Sequence, residues 1–209
     1  MALAAIRGMP VVASGFAGAA AIAAPPTATI YRAHVDASGH VDGRSLTRTK
    51  RFPTTGFDSV SLLVSGGVVA GRSGTAAGLY YLPEGPEATV QQLTSGPDLD
   101  PDGSPRRRDD RVVFSRDGDL YLVAVDDRPI RCSGEERHEG TRTLCRLTSG
   151  AAIDVAPTWS WDARWIAFVR SETSGRAALV KLSVSRPDVV REFAPGLDRE
   201  PAGAPMWSG

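Results

Sequence analysis

The feature that most constrains the fold of this chain is an internal repeat. The segment Leu93–Gly96, with the sequence Leu-Thr-Ser-Gly, recurs unchanged as Leu147–Gly150, 54 residues later. An aspartate stands seven positions after each leucine, at Asp100 and Asp154. A repeat of about 40 to 55 residues is typical of stacked structural units that share one architecture. The sequence therefore predicts a repeat protein.

Two apolar segments follow the repeated motif at matching positions. Arg111–Phe114 and Trp165–Phe168 align without a gap, and each precedes a turn and another apolar segment, Asp119–Val125 or Arg176–Val184. Short runs of β-branched and aromatic residues between Asp, Gly, Ser and Pro turns indicate antiparallel strands. Gly118 lies in a connection short enough for a hairpin. Because no amphipathic helical pattern of useful length occurs after the N-terminal segment, the predicted fold class is all-β.

The order of these motifs resembles the WD40-like repeat of TolB-type β-propellers, in which Leu-Thr, Asp, Pro-x-Trp-Ser and an Ile-Ala-Phe strand follow one another. The best copy is Leu147–Leu182, which departs at Trp161–Ala163, where the family has Pro-Asp-Gly. The earlier copy has Gly103–Arg108 in place of Pro-x-Trp-Ser-Pro-Asp, and Pro205–Ser208 begins a further copy. The resemblance implies antiparallel four-stranded blades. Repeat positions expected in the core are Phe114, Trp159, Ile166, Phe168 and Trp207.

The resemblance implies a partial β-propeller over residues 25–209, with about three and a half blades. A diverged blade is expected over Val60–Leu82, with a turn at Ser65–Gly67, and Thr29–Val35 and Arg44–Thr49 are expected to end a preceding blade. Closed propellers use about four to eight blades. We therefore expect either a truncated chain or self-association through open sheet edges. The predicted units are 29–57, 58–92, 93–146, 147–192 and 193–209.

Residues 1–24 resemble a secretory signal peptide. A single charge at Arg7 precedes an apolar run of small residues, and Ala21 and Ala23 form an A-x-A arrangement. The pattern predicts export to the periplasm or beyond, with removal of the first 23 or 24 residues. The run is shorter than the roughly 20 apolar residues of a membrane span, so no stable membrane span is expected. The alternative is that Val11–Ala23 forms a buried strand.

The two cysteines, Cys132 and Cys145, bracket a polar insertion at Ser133–Leu144. If the flanking segments are the third and fourth strands of a blade, the two sulfurs face each other and form a disulfide. Such a bond would agree with export, since disulfides persist in oxidising compartments. The alternative is a pair of unpaired cysteines in a cytosolic protein.

Charge and motifs exclude several functions. The 24 basic and 24 acidic residues give a net charge of zero, which argues against nucleic acid as a partner. Gly71–Gly74 lacks the last glycine of a G-x-S-x-G nucleophile elbow, and no glycine loop ends in Lys-Ser or Lys-Thr. The histidines, His34, His40 and His138, lie in unrelated repeats. The chain is therefore predicted to be non-enzymatic and to use no cofactor.

Four aspartates have most of the spacing of a calcium-binding loop: Asp98, Asp100, Asp102 and Asp109. Calcium takes about six to eight oxygen ligands, which alternating carboxylates can supply. However, no helix flanks this loop, and Arg106–Arg108 place positive charge beside the site. Asp100 also has a structural interpretation as a turn residue whose carboxylate accepts a backbone N–H. We therefore assign no metal site and keep these carboxylates as a minor calcium candidate.

Two loops contain the candidate binding residues. Trp161 and Asp162 occupy a turn between two predicted strands, and tryptophan is enriched in binding hot spots. Packing of Trp161 on the neighbouring blade is the alternative. Arg106 and Arg107 belong to a basic cluster followed at once by acidic residues, Asp109 and Asp110. Such a cluster is usually a solvated hairpin end, and the alternative is a site for phosphate or an acidic peptide.

The resemblance implies a non-catalytic β-propeller that acts outside the cytoplasm as a scaffold or binds another protein. The alternative is the propeller portion of a prolyl-oligopeptidase-type peptidase or other enzyme, in which it would gate substrate access to a catalytic domain absent from this chain. Fold analogy does not by itself separate the two functions.

Overall fold

The computed structural model describes residues 28–32, 47–52, 57–84, 88–126 and 128–197. The chain divides into two units, residues 1–56 and 57–209. In the first unit, β1 (Ala28–Arg32) and β2 (Thr47–Phe52) form an antiparallel pair. The signal-like segment 1–24, including the alternative strand within it, and the predicted copy at Pro205–Ser208 lie outside the described residues.

The second unit contains three antiparallel sheets. The first sheet comprises β3 (Phe57–Leu62), β4 (Val68–Arg72), β5 (Gly78–Leu82) and β6 (Gln91–Gln92), with a 3₁₀ turn at Gly74–Ala76 between β4 and β5. The middle sheet comprises β7 (Asp98–Gly103), β8 (Arg111–Arg116), β9 (Asp119–Ala124), β10 (Glu135–Glu139) and β11 (Arg142–Arg146). The third comprises β12 (Ile153–Trp159), β13 (Trp165–Ser171), β14 (Ala177–Ser183) and β15 (Arg186–Leu197).

The fold class is all-β, as the sequence predicts. Successive strands are neighbours in the first and third sheets, whereas the middle sheet has the order β7-β8-β9-β11-β10. The exception is β10, a fifth strand at the outer edge that arises from the polar insertion between the cysteines. Within the described part of the chain, no helix is long and apolar enough to cross a membrane.

Glycine turns place the hairpins where the sequence predicts them. Asp117 and Gly118 connect β8 to β9 with φ values of 52° and 83°, which is the left-handed pair that a tight two-residue hairpin turn requires. Gly66 and Gly67 also have positive φ, in the predicted turn between β3 and β4. The diverged blade expected over Val60–Leu82 is therefore present as β3, β4 and β5.

Two hydrophobic interfaces join the three sheets. Alternate side chains of β8 and β9 point to opposite faces, so both faces of the middle sheet are buried. On the face toward the first sheet, Phe114 lies with Leu79 in what we call the first interface. On the face toward the third sheet, Ile166 and Phe168 pack against Leu122 in the second interface. Phe114, Ile166 and Phe168 are fully buried, and Trp159 is 4% exposed, which confirms these predicted core positions.

The repeated Leu-Thr-Ser-Gly motif has the same structural role in both copies. The Thr94 hydroxyl accepts a hydrogen bond from the Leu79 backbone N–H at 2.9 Å, and the Thr148 hydroxyl accepts one from Leu120 N–H, also at 2.9 Å. Each threonine thereby satisfies the backbone of a third strand in the sheet that the chain is leaving. Leu79 and Thr94 are 15 residues apart in sequence, whereas Leu120 and Thr148 are 28 residues apart. The additional residues in the second case accommodate the β10 insertion.

The gapless alignment of the repeats is wrong in the first strands of the middle and third sheets. Asp98, and not Asp100, is the structural equivalent of Asp154, because each faces an arginine of the next strand. Asp98 pairs with Arg116, and Asp154 pairs with Arg170 through bonds of 2.8 Å. These carboxylates are buried, so each ion pair holds the first strand to the second at the end opposite the candidate binding turns.

Candidate functional site

The candidate binding residues lie in the turns that connect the first and second strands of the sheets. We call these three turns the rim: residues 63–67 in the first sheet, 104–110 in the middle sheet and 160–164 in the third sheet. All three turns lie at the same end of the sheets. At this end, Asp102 joins the first strand of the middle sheet to the first strands of the other two sheets. Its carboxylate accepts hydrogen bonds from Ser61 Oγ at 3.2 Å, Thr158 Oγ1 at 3.0 Å and the Trp159 backbone N–H at 2.8 Å.

Asp102 is a linking residue rather than a solvent-exposed ligand. Burial raises its pKa above the usual range, although hydrogen bonds from the Trp159 backbone, Thr158 and Ser61 favour the ionised form and oppose this effect. The Trp159 indole Nε1 also donates to the Asp102 carbonyl oxygen at 3.0 Å. Consecutive sheets are therefore hydrogen-bonded to each other directly below the rim.

Two turns of the rim are built on the same side-chain pattern. In the third sheet, Ser160 Oγ donates to Asp162 at 2.7 Å, and Arg164 Nε donates to the same carboxylate at 2.6 Å. In the middle sheet, Asp109 accepts from Ser104 Oγ at 2.8 Å and from Arg111 Nε at 2.7 Å. A serine at the strand end, an aspartate and an arginine thus close both turns. Asp162 is primarily a structural residue of its turn.

Electrostatics keep both turn aspartates ionised. Hydrogen bonds from Ser160 and Arg164 lower the pKa of Asp162 to about 2. Burial alone would raise the pKa of Asp109, but hydrogen bonds from Arg111 and Ser104 outweigh it, so the pKa is lowered. The pattern that closes the turns therefore persists at any physiological pH.

Trp161 is held in solvent at the tip of the third turn. Trp161 is 83% exposed to solvent, whereas Trp159, two positions earlier, is 4% exposed. The alternative that Trp161 packs on a neighbouring blade is therefore not what the structure shows. Ala163 has a φ of 52° at the position where the resembled family has glycine, so the tight turn is retained without glycine. An exposed tryptophan on a fixed turn is typical of a binding hot spot.

Arg106, Arg107 and Arg108 project from the middle turn of the rim. All three are exposed, and they have no ion-pair partner among the described residues. In contrast, Arg111 and Arg164 nearby are each paired with the aspartate of their own turn. Within the part of the chain that the structure describes, the rim thus has three arginines without an ion-pair partner.

Sequence reasoning missed one member of the rim. Val64 stands two residues after the end of β3, as Pro105 does after β7 and Trp161 after β12. Val64 is 53% exposed. Two of the three equivalent positions thus present a large apolar side chain to solvent. The signal that could have shown that Pro105 and Trp161 are equivalent is the pair Pro101 and Pro157, which align at an offset of 56 rather than 54 residues.

The four aspartates of the calcium candidate do not form one cluster. Asp98 pairs with Arg116, Asp102 links the strand ends, and Asp109 closes its turn. Asp100 is in the left-handed region with a φ of 50°, at an irregularity in β7. Over the described ranges, no group of three or more His, Cys, Asp or Glu residues is arranged to hold a metal ion.

Cys132 and Cys145 form a disulfide, as the sequence predicts. Cys145 lies on the fourth strand, β11, but Cys132 lies in the segment before β10 and not on the third strand. The bond packs against the second interface. Ser133 Oγ donates to the Val184 carbonyl of the third sheet, and at the far end of β10 the Glu139 carboxylate accepts from Ser95 and Arg116. The inserted hairpin therefore contacts both the turn between β14 and β15 and the connection between the first and middle sheets.

A polar cavity of about 710 Å³ lies beside this hairpin. Two of its arginines are already paired, Arg116 with Asp98 and Glu139, and Arg146 with Asp119. Among the described residues, the Asp119 Oδ1 atom is the buried side-chain atom without a hydrogen-bond partner. The paired arginines leave little free charge to hold a ligand, so the rim is the stronger candidate site.

Comparisons with known proteins agree with a propeller fold. No protein-family model matches the chain. Among solved structures, the chain is similar to TolB from Acinetobacter baumannii, with a TM-score of 0.57 and 17% sequence identity over 80% of this chain and 38% of that chain. The three sheets are blades of a TolB-like β-propeller fold.

A curated relative has a different printed function. The chain is 28% identical over 174 residues to a probable dipeptidyl-aminopeptidase B from Talaromyces marneffei (strain ATCC 18224 / CBS 334.59 / QM 7333). The match covers 77% of this chain and 18% of the relative, so the chain spans less than a fifth of that protein's length.

Proposed function

We propose that this chain is a non-catalytic binding module of a TolB-like propeller that acts outside the cytoplasm and binds another protein through the rim. The observation that carries the proposal is the exposure of Trp161 on a turn fixed by Asp162. The exposed indole leaves a large apolar surface that a bound protein would bury. Because the turn is already ordered, binding there would lose little conformational entropy.

The disulfide supports the location outside the cytoplasm. Disulfides form and persist in oxidising compartments, and the signal-like pattern of residues 1–24 predicts the same location. Sequencing the N-terminus of protein recovered from the periplasm or medium tests this part of the proposal. A start near residue 24 or 25 supports export, and an intact Met1 on protein recovered from the cytoplasm contradicts it.

Photo-crosslinking tests the binding surface directly. A photoreactive amino acid replaces Trp161 in one variant and Ile153 in the control, since Ile153 is 54% exposed and lies at the opposite end of its strand. We expect a discrete crosslinked protein from position 161 in cells that make the chain, and none from position 153. Equal crosslinking from both positions, or none from position 161, would contradict the proposal.

The second candidate is the propeller portion of a dipeptidyl-peptidase-type enzyme, in which the propeller would control substrate access to a catalytic domain outside this chain. It is favoured by the 28% identity to the probable dipeptidyl-aminopeptidase B. Native protein isolated from its cells with an antibody against this chain distinguishes the two functions. A much longer polypeptide that hydrolyses dipeptidyl p-nitroanilides supports the enzyme, and an inactive product supports the binding module.

A further inference from the structure

We propose that the rim binds an acidic, extended segment of a partner protein, whose carboxylates pair with Arg106–Arg108 and whose apolar residue packs on Trp161. This inference rests on the proposed function and specifies the chemistry of its partner. It follows from the charges, the apolar positions and the rigidity of the rim.

The charge of the rim is local and unbalanced. The whole chain carries no net charge, and most arginines of the middle and third sheets are paired with acidic side chains. Arg106–Arg108 differ from these because three exposed cations stand together in one turn without an ion-pair partner among the described residues. Neighbouring like charges repel each other, and a partner with several carboxylates relieves that repulsion.

The apolar residues stand on both sides of these arginines. The hydrogen bonds of Asp102 to Ser61 and to Thr158 order the three turns as first, middle and third. Along this order the rim presents Val64, then the arginine cluster, then Trp161. An extended segment that crosses the three turns therefore meets an apolar, a basic and another apolar position in sequence. This pattern suits a peptide with alternating acidic and apolar residues.

The same pattern disfavours the other polyanions. A phosphate backbone is bound by rows of cations, whereas two of the three turns here present apolar side chains. An anionic lipid surface is contacted by cations spread over a broad basic face, whereas the rim's exposed arginines without an ion-pair partner among the described residues all lie in its middle turn.

Fluorescence anisotropy with a defined probe tests the proposal. The probe is a fluorescein-labelled peptide that alternates pairs of glutamates with single leucines, and the control peptide has lysine in place of every glutamate. We expect the acidic peptide to bind with an affinity that falls as salt is added, and the lysine peptide not to bind. Binding should also protect Trp161 from iodide quenching. Equal binding of the two peptides would overturn the proposal.

Matched variants locate the site. The double variant Arg106→Glu/Arg107→Glu should weaken binding at least about tenfold, and Trp161→Ala should do the same. The control Arg72→Glu/Arg131→Glu makes the same charge change at arginines outside the rim that also lack an ion-pair partner among the described residues. It should change the affinity less than about twofold. Since all these residues are at least partly exposed, unchanged urea denaturation midpoints confirm that the variants are folded.

The outcomes separate this inference from the proposed function. A discrete crosslink from position 161 without any binding of the acidic peptide would preserve the protein-binding function and overturn the acidic chemistry. Tighter binding to vesicles that contain phosphatidylserine, or to duplex DNA, than to the acidic peptide would also overturn it. Loss of binding in the control variant would place the site elsewhere on the chain.

Discussion

The two interfaces of the propeller differ in the kind of bond that the inserted hairpin, β10 and β11, makes at each of them. Each has a fully buried phenylalanine from a second strand, Phe114 in the first interface and Phe168 in the second. At the second interface the bond is covalent, because the disulfide at Cys145 packs into the cluster. At the first interface it is ionic, because Glu139 accepts from Ser95 and Arg116.

Because of this difference, the interactions that supply most of the stability are not the ones that respond to solution conditions. Apolar burial is of the same kind in both interfaces and should supply most of the stabilisation. The disulfide and the Glu139 hydrogen bonds contribute less, but they depend on different solution conditions, the disulfide on reductant and the hydrogen bonds on pH. Reductant should weaken the second interface, and protonation of Glu139 in acid should weaken the first.

The largest expected effect is the loss of either core phenylalanine. Phe114→Ala and Phe168→Ala should each cost about 3–5 kcal/mol of unfolding free energy, because each removes a fully buried ring and leaves a cavity. Urea denaturation followed by circular dichroism measures both. Val64→Ala, at an exposed rim position, is the control and should change stability by less than about 0.5 kcal/mol. A loss below about 1 kcal/mol for one phenylalanine would mean that its interface is not a packed core.

Removal of the disulfide is next in size. The bond joins residues 13 apart, and Cys132→Ala/Cys145→Ala should lower stability by about 2–4 kcal/mol, chiefly because the unfolded chain gains entropy. Reductant should destabilise the parent protein by a similar amount and leave the variant unchanged. The double variant should also be non-additive with Phe168→Ala and additive with Phe114→Ala. Two free thiols in unfolded, unreduced parent protein would contradict the bond.

The hydrogen bonds of Glu139 predict a pH dependence that arises at the first interface. Burial alone would raise the pKa of Glu139, but hydrogen bonds from Ser95 and Arg116 outweigh it, so the folded-state pKa is lowered. Its contribution is therefore complete above the unfolded value of about 4.3 and is lost as the pH falls through the folded-state pKa. Glu139→Gln should cost about 1–2 kcal/mol near neutral pH.

Urea denaturation of parent and variant across the acid range checks this prediction. The difference between them should be constant well above the unfolded value of about 4.3 and should shrink as the pH falls through the folded-state pKa of Glu139. Glu136→Gln on the same strand is the control, since Glu136 is exposed and pairs only with an exposed His138. A difference that persists unchanged in acid would show that Glu139 acts through packing and not through its charge.

Some features of these interfaces could be predicted from the sequence and others could not. The hairpin at Asp117–Gly118 and the core positions Ile166 and Phe168 follow from local turn chemistry and apolar periodicity, and both predictions are confirmed. The pairing of Asp98 with Arg116 depends on cross-strand register, which local spacing does not reveal, so the gapless alignment assigned the role to Asp100. Strand β10 was missed because its five residues, Glu135–Glu139, lack apolar alternation.

In the candidate site, too, the turn positions could be predicted from local sequence, whereas the contacts between distant strands could not. The exposed turn position of Trp161 could be predicted because it lies between two apolar strand patterns, and that of Arg106 because a basic cluster followed at once by aspartates is typical of a solvated hairpin end. That they share one rim could not, because it depends on Asp102, whose hydrogen bonds join strands more than 40 residues apart in sequence. The role of Asp162 as a turn residue likewise appears only with its contacts to Ser160 and Arg164.

The smallest expected effect concerns Asp102, which lies below the rim and is shared by all three sheets. Because burial raises its pKa in the folded state, the folded protein holds this proton more tightly than the unfolded chain does. Its contribution to stability is therefore full below the unfolded value of about 3.9 and is lost as the pH rises through the folded-state pKa. Asp102→Asn keeps the shape without the charge.

The asparagine should be tolerated at this position. Its carbonyl oxygen can still accept from Thr158 and the Trp159 N–H, and its amide can donate to the Ser61 oxygen, which already accepts from the Gly103 N–H at 3.0 Å. We expect Asp102→Asn to be as stable as the parent or up to about 1 kcal/mol more stable near neutral pH, with no advantage at about pH 3. Urea midpoints at the two pH values measure this. An equal loss at both pH values would show that the geometry of the carboxylate, and not its charge, joins the sheets beneath the rim.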